Sequence, residues 1–579
     1  MMLNNLHPGL ILMLVGLIAA IVPKNLRKGI LAAGPFVALA AMFSLELGTD
    51  LSVAFTKNFS LNYLYVDKLS YLFGMVFAIV AVVAGIYSCH NENRVEAFCS
   101  MAYAGGALGV TFAKDWLSMI FFWESMAVTS VFLVWCNHTP ASRKAAFRYI
   151  LVHMLGGNLL LAGIFLKIGA GSPLIANLSQ GPHDLAFWAI FLGVAVNTAI
   201  PPFNGWIADA YPESTLTGGV FMCSFTTKVA VYALIRIFAG WDILVWVGCF
   251  MALNSACFAV MENNMRRLLS HHISSQVGFM VAAIGVGSAL GLNGAATLAY
   301  SNIVYKGLLF MCTGSIIYAT GITRINQLGN MAKKLPLVAV CFFIAALSIG
   351  GIPGFFGFVT KPLAIESTAA NYPLAYQLLE IASIGTFLSI PLKMGYFIFL
   401  RQEDKGVEIK REIPVNMKIA MGMTAVLCIA YGLMPNLIYR YLPFEMAARP
   451  AYTMSGVLLT IEMYGMAIVP FMMYLSKMEP HTAISLDTDW FYRKPFAAII
   501  GFVSHGLCAL CAALGQGWWV LSKEFIGLTE NPMDLLDARP FRKRTRYSPE
   551  NYRTSIGDPI MITLFVLASS IGYFLAKLM

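Results

Sequence analysis

Val194-Ala195-Val196-Asn197-Thr198-Ala199-Ile200-Pro201-Pro202-Phe203-Asn204-Gly205-Trp206 lies inside an apolar stretch, 185–209, long enough to cross a bilayer as a helix. Consecutive prolines remove backbone donors and clash with the preceding turn, so a helix must break there. Broken backbone at membrane depth is tolerated only where protein or water satisfies the freed polar groups. The stretch therefore predicts a polar pathway rather than a plain spanning helix.

The interruption occurs twice. Ile352-Pro353-Gly354-Phe355-Phe356-Gly357-Phe358 repeats the pattern of Ile200–Trp206 at an offset of 152 residues. Downstream of each break comes a second match: Lys228-Val229-Ala230-Val231-Tyr232-Ala233-Leu234-Ile235-Arg236 resembles Lys393-Met394-Gly395-Tyr396-Phe397-Ile398-Phe399-Leu400-Arg401. An odd number of spans per copy (fourth to eighth, ninth to thirteenth) puts the copies in opposite orientation. Inverted repeats with broken helices in equivalent places are the sequence mark of an ion transporter.

Composition widens this reading to the whole chain. Of 579 residues, 58% are apolar and only 12% charged, against about 25% charged in a soluble domain. Apolar stretches recur from 9–23 to 558–577. The expectation is an all-α polytopic membrane protein of about 14–17 transmembrane helices, with two inverted five-helix repeats, each with a broken helix. The first stretch is too regularly followed by others to be a cleaved signal peptide. The expected division is N-terminal transmembrane helices over 1–94, a first repeat over 95–240, a second, inverted one over 241–401, and C-terminal helices with a basic loop over 402–579.

The net charge of +10 is a matter of topology, not of nucleic-acid binding. Lys24, Arg27, Lys28, Arg94, Arg143, Lys144, Arg148, Arg266, Arg267, Arg324, Lys333, Lys334, Lys405, Lys410 and Arg411 fall on one alternating set of loops, against little beyond Lys57, Lys68, Lys114, Arg440 and Arg449 on the other. That asymmetry puts the N-terminus outside a bacterial inner (plasma) membrane, with the lipid bilayer as immediate partner. The basic segment 539–553 breaks the alternation and leaves open whether 496–521 spans. Cys508 and Cys511 sit in an apolar helix and read as packing. No nucleotide-binding glycine loop is present. A haem would need facing histidines, and His153 is the one histidine clearly inside a span, so no cofactor is expected and redox chemistry would sit on other subunits.

Ionisable groups inside spans cost roughly 2.5–3.5 kcal/mol each on insertion scales, so each needs a reason. Glu124, Lys228, Lys306, Lys361 and Lys393 stand out. Lysines and a carboxylate held out of water, able to approach or separate, form a proton switch. Against this, Lys361 and Lys393 lie near enough to helix ends to snorkel. Asp209, just after the first break, reads as a cap or terminator of that helix, with a functional role as the equal alternative. Asn197, Asn204, Ser274, Ser275, Gln276, Ser301 and Asn302 could hold water between the charges. His271 and His272, after Arg266-Arg267 at a cytoplasmic helix start, read as an interfacial pair, with gating of proton access as the alternative.

Six motifs then occur in order: Phe121–Ser125 (FFWES), Pro201–Pro212 (PPFNGWIADAYP), Thr226–Arg236 (TTKVAVYALIR), Met265–Phe279 (MRRLLSHHISSQVGF), Tyr305–Phe310 (YKGLLF) and Gly350–Lys361 (GGIPGFFGFVTK). Together they resemble the antiporter-like family shared by Mrp-type sodium/proton antiporters and the proton-pumping membrane subunits of respiratory complex I. The terminal TDWFYRK, 488–494, resembles the Mrp side, its D-type component in particular. The resemblance implies a subunit that moves H+, or exchanges Na+ for H+, beside other hydrophobic subunits of an Mrp-like or complex-I-like assembly. It implies a fifth-span glutamate paired with a seventh-span lysine, continued by eighth- and twelfth-span lysines; Glu124, Lys228, Lys306 and Lys361 match. Asn197 stands where a lysine is expected, and Asn302 and Asn204 where histidines are. Lacking its usual partner, Glu124 is expected to turn to Lys228. The same departures leave a second reading open, a channel-degenerate structural subunit of a respiratory membrane arm.

Overall fold

The computed structural model describes residues 6–56, 59–403, 405–447, 449–481, 490, 494–495, 497–530 and 557–578. Residues 1–489 form one compact unit and 490–579 a second. The first unit opens with α1 (Pro8–Ile21) and α2 (Lys24–Phe43), then the hairpin strands β1 (Asp50–Thr56) and β2 (Phe59–Tyr65). There follow α3 (Lys68–Ser88), α4 (Arg94–Phe112), α5 (Trp116–Trp135), α6 (Pro140–Gly169), α7 (Leu185–Thr198), α8 (Gly205–Ala210), α9 (Gly218–Met222) and α10 (Thr226–Ile237). The second half runs through α11 (Ile243–Met261), α12 (Met265–Val286), α13 (Ala289–Thr320), α14 (Met331–Lys334), α15 (Pro336–Gly350), α16 (Phe356–Glu366) and α17 (Pro373–Phe387). The last of these continues as a π-helical segment, Leu388–Leu400; α18 (Val415–Leu433), α19 (Asn436–Tyr439) and α20 (Met454–Met473) complete the unit.

Apolar runs become helices because only a self-satisfied backbone survives in hydrocarbon. Their starts are marked by polar caps: Asn93, Asp115, Asp184 and Asn264 each accept from first-turn amides, and Asp67 and Thr139 form reciprocal capping boxes with Ser70 and Ser142. Among the described residues, 12 helices are long and apolar enough to cross a membrane, and shorter apolar ones include Pro8–Ile21, Leu185–Thr198 and Pro336–Gly350. The last two are the first halves of the two predicted interruptions. The 32-residue α13 is buried along most of its length and packs against α3, α12, α15, α16 and α18.

Both predicted breaks are present. Helix α7 ends in Ala199 at φ 61°, and five residues containing Pro201 and Pro202 intervene before α8. The Trp206 indole reaches back to the Val196 carbonyl at 2.9 Å, satisfying one acceptor freed by the break. Helix α15 ends in Gly351 at φ 76°, and Gly354 at φ 93° allows the turn into α16, a conformation glycine adopts without penalty.

A third interruption, between α9 and α10, lies in a stretch that reads as one continuous span, 214–239. No proline marks it. The Tyr103 hydroxyl, from α4, takes the Thr226 amide at 2.9 Å, and a side chain inserted in the ladder breaks it. The hairpin is likewise not foreseen from sequence; it is anchored by the Asn62 amide on the Asp115 carboxylate at 2.7 Å and by a Lys114–Asp50 ion pair.

Asp67 ties the top of α3 to α10: Arg236 donates to both its oxygens, at 2.5 and 2.6 Å. Burial pushes the Asp67 carboxyl up, but the Arg236 bonds and charge, with the Ser70 amide, more than reverse this and hold it below the ordinary carboxylate value. The stabilisation is therefore present at neutral pH and is lost as pH falls through that lowered value. Asp67→Ala should cost about 2 kcal/mol, read as a lower midpoint of thermal unfolding in detergent, with the difference from wild type shrinking at acid pH.

In the second unit, helix Ala497–Glu530 contains a stretch, Ala498–Lys523, long and apolar enough to span, and Gly557–Leu578 is a further helix. The basic segment 539–553, and all of 488–494 except Trp490 and Lys494, lie outside the described residues.

Candidate functional site

The second half brings the buried charges together. Lys306 projects from the middle of α13, and its ammonium donates to the Leu269 carbonyl of α12 at 3.2 Å. One turn further along α12, the His272 ring bonds through Nε2 to the Ser389 hydroxyl at 2.6 Å, on the π-helical segment. Lys306, His271, Lys361 and Lys393 all lie within electrostatic reach of His272. Lys393 donates to the carbonyls of Val260 and Glu262 at 2.5 and 2.7 Å. It thereby caps the negative end of the α11 dipole. Lys361 lies over the Phe279 ring at 5.1 Å, and its ammonium has no hydrogen-bond partner among the described residues.

One alternative falls and one expectation is corrected here. Lys361 and Lys393 are 3% and 5% exposed, against the alternative that they snorkel. His271 and His272, at 5% and 0%, are not interfacial but enclosed. A position near a helix start says little about depth when other helices close over it. Here α11, α13 and α17 all pack on α12.

Uncharged polar groups connect these sites. The Asn302 amide donates to the Tyr305 hydroxyl, Tyr305 to Gln276, and Gln276 to Thr386, each at 3.3 Å. Ser301 and Thr360 share a bond of 2.7 Å between α13 and α16. The widened turns around Pro391 carry both Ser389 and Lys393, and π-helical irregularity of this kind is frequent at functional sites.

The first half is arranged differently. Lys228 is fully buried beside the third break, and its ammonium bonds the Cys223 carbonyl at 2.8 Å. Glu124 is half-buried on α5, its carboxylate lying against Gly157 of α6, where any Cβ would collide with it. Among the described residues no ion pair engages Glu124, so the expected turn towards Lys228 is not made. Lys228 instead acts electrostatically on Lys306. Asn197 accepts or donates at 2.8 Å with Nδ1 of His153, whose ring is held between Tyr149 and Trp206 at 4.1 and 4.6 Å. The position where a lysine is expected thus carries a neutral bond. Asp209 is more than a helix terminator: Arg148 donates to both its oxygens, at 2.7 and 2.8 Å, pinning α8 to α6.

Two carboxylates, one half-buried and one buried, escape the sequence reading. Glu380, on α17, lies beside Tyr376 and within electrostatic reach of Lys361. Glu96, at the start of α4, is buried and accepts from Thr215 at 2.7 Å and from Thr217. The insertion-cost criterion that singles out Glu124 applies to both. Glu96, however, stands in the first turn of α4, where an acid reads as a favourable partner of the dipole; Glu380 lies about two turns into α17.

Comparison with known proteins agrees with this architecture. The sequence family described as NADH:quinone oxidoreductase/Mrp antiporter, TM, matches residues 113–389. The Na(+)/H(+) antiporter subunit A1 of Staphylococcus haemolyticus is 27% identical over 425 residues, 65% of this chain and 53% of that protein. Among solved structures, the Mrp complex of Dietzia sp. DQ12-45-1b superposes with a TM-score of 0.67 at 23% identity, covering 80% of this chain and 98% of that one. The membrane-bound sulfane sulfur reductase, an archaeal respiratory membrane complex, gives 0.68 at 21% identity, covering 96% and 99%. The residues that match that family, 113–389, hold every break and four of the five charged groups singled out from sequence, so the part of the chain that resembles the NADH:quinone oxidoreductase/Mrp antiporter membrane family is the part that carries the candidate site.

Proposed function

We propose that this ion-translocating membrane subunit moves H+, or exchanges Na+ for H+, along a row of buried groups running from Lys228 through Lys306 and His272 to Lys361 and Lys393. One observation carries the reading: Lys306, Lys361 and Lys393 lie within electrostatic reach of the buried His272 and Lys228 within reach of Lys306, all four lysines between 0% and 5% exposed, with no carboxylate among the described residues bonded to any of them. In a medium of low dielectric, charge on one such group disfavours charge on the next, so a proton gained at one end displaces one at the other. Breaks at α9/α10 and α15/α16 leave backbone groups for water beside the terminal lysines. The similarity to a sodium/proton antiporter subunit supports sodium as the counter-ion, and the assemblies in which similar folds occur support neighbouring hydrophobic subunits as partners. The loop charges support an N-terminus outside, and on this reading the membrane is a bacterial plasma membrane.

A second, narrower reading concerns the first half. The neutral His153–Asn197 bond and the unpaired Glu124 favour a scaffold role for α5–α8, with conduction confined to α10 onward. Reconstituted complex carrying Glu124→Gln should keep ion flux within about twofold of wild type, against the roughly 10²-fold loss expected of a group that passes the proton. A loss of the larger size would return Glu124 to the path.

A further inference from the structure

A cavity of about 80 Å³ lies where α16, α17 and α20 meet. Lys361 and Glu366 line it from α16, Tyr376, Glu380 and Ser383 from α17, and Tyr464 from α20. Its volume is several times what one water occupies, and its walls offer the polar partners that buried water needs. The Lys361 ammonium opens onto this space with no hydrogen-bond partner among the described residues, although it is almost wholly buried. Glu380 is the carboxylate that acts on it. A structural ion pair would close the gap between them with a direct bond; here the two groups face the same chamber without touching.

The surrounding side chains make the chamber a conduit rather than a sealed void. Tyr464 stacks on Phe387 at 4.0 Å and lies beside the Ser383 hydroxyl, forming the inner wall. The Tyr376 hydroxyl stands next to Glu380. At the rim, Glu366 and Arg449 form an ion pair whose side chains are 36% and 37% exposed. This rim lies at the end of the bundle that carries 367–372, 440–447 and 449–453, the outer face by loop charge.

We propose that Glu380 is the proton-carrying group at the outer end of the relay, exchanging with Lys361 through water in this chamber. The proposal rests on the relay reading above. In the outward step the Lys361 ammonium gives a proton to a chamber water, and that water gives one to the Glu380 carboxylate. The products are a neutral amine and a carboxylic acid. The acid then releases its proton to solvent past the Glu366–Arg449 rim, and Lys361 is recharged from Lys306 and His272.

Proton flux in liposomes containing the whole complex tests this. Glu380→Gln should lower flux about 10²-fold, and Glu380→Asp should recover most of it, with subunit composition unchanged in both. Wild-type flux from Glu380→Gln, in preparations where Lys306→Met is inactive, overturns the proposal and leaves the relay standing. Should Lys306→Met conduct as well, the relay itself fails and this inference with it. If Glu380→Gln does not assemble, Ser383→Cys decides the matter. A charged, membrane-impermeant thiol reagent applied from the outer face should label it above the background of the unsubstituted chain. Absence of labelling, or labelling from the opposite face alone, shows that the chamber is not the outer access and overturns the proposal.

Discussion

Lys306→Met should reduce ion flux through the reconstituted complex by about 10²-fold while leaving assembly intact. The lysine is fully buried in the middle of α13, and its ammonium bonds one carbonyl, that of Leu269. Methionine fills the volume of the lysine stem, and Leu269 lies inside a regular helix whose ladder offers its carbonyl a partner. Removing a buried cation with no carboxylate bonded to it is expected to be neutral or stabilising by about 1–4 kcal/mol. Lost function would thus be accompanied by an equal or higher melting temperature, a combination that a folding defect cannot produce. Lys306→Arg sharpens the test. A guanidinium keeps the charge but does not release its proton in a protein, so it should be as inactive as methionine. Substantial flux through either variant would remove Lys306 from the path and favour the scaffold reading for the whole chain.

Gly278→Val should damage the fold severely, costing about 3 kcal/mol or more and preventing recovery of assembled protein. Helices α11 and α12 cross in backbone contact through Gly248, Gly278 and Gly285. A Cβ on Gly278 would stand 2.5 Å from the Ala252 nitrogen and 2.6 Å from the Gly248 carbonyl oxygen. Backbone cannot rotate aside as a side chain can, so the helices must separate. Close approach through small residues is the main source of helix association in lipid, where no hydrophobic drive exists between helices. Separation would also shift His272 and Gln276, which α12 presents to α13 and α17. Gly307→Ala is the contrasting case, since its Cβ would meet nothing nearer than the tip of Met311 at 4.0 Å. That variant should melt at or slightly above the wild-type temperature, because alanine holds a helix better than glycine by about 0.5–1 kcal/mol. Thermal unfolding of both in detergent separates a packing requirement at α11/α12 from a general intolerance of larger residues.

What the sequence determines by itself is set by local terms. The transfer energy of an apolar run, the proline and glycine at Ile200–Trp206 and Ile352–Phe358, and the insertion cost of Lys228, Lys306, Lys361 and Lys393 are all properties of a few consecutive residues. They suffice for the spans, two of the breaks and the presence of buried charge. Which groups meet is another matter, decided by the rotation and crossing of helices far apart in the chain. Only the tertiary structure separates Glu124 from Lys228, gives Asn197 to His153, encloses His272 among three lysines, and sets Glu380 across a cavity from Lys361. The break at Lys228 belongs to the same class, because the hydroxyl that opens it comes from Tyr103, more than a hundred residues away. Hydropathy measures how willingly a segment leaves water and carries no information on which neighbour its polar atoms will find there.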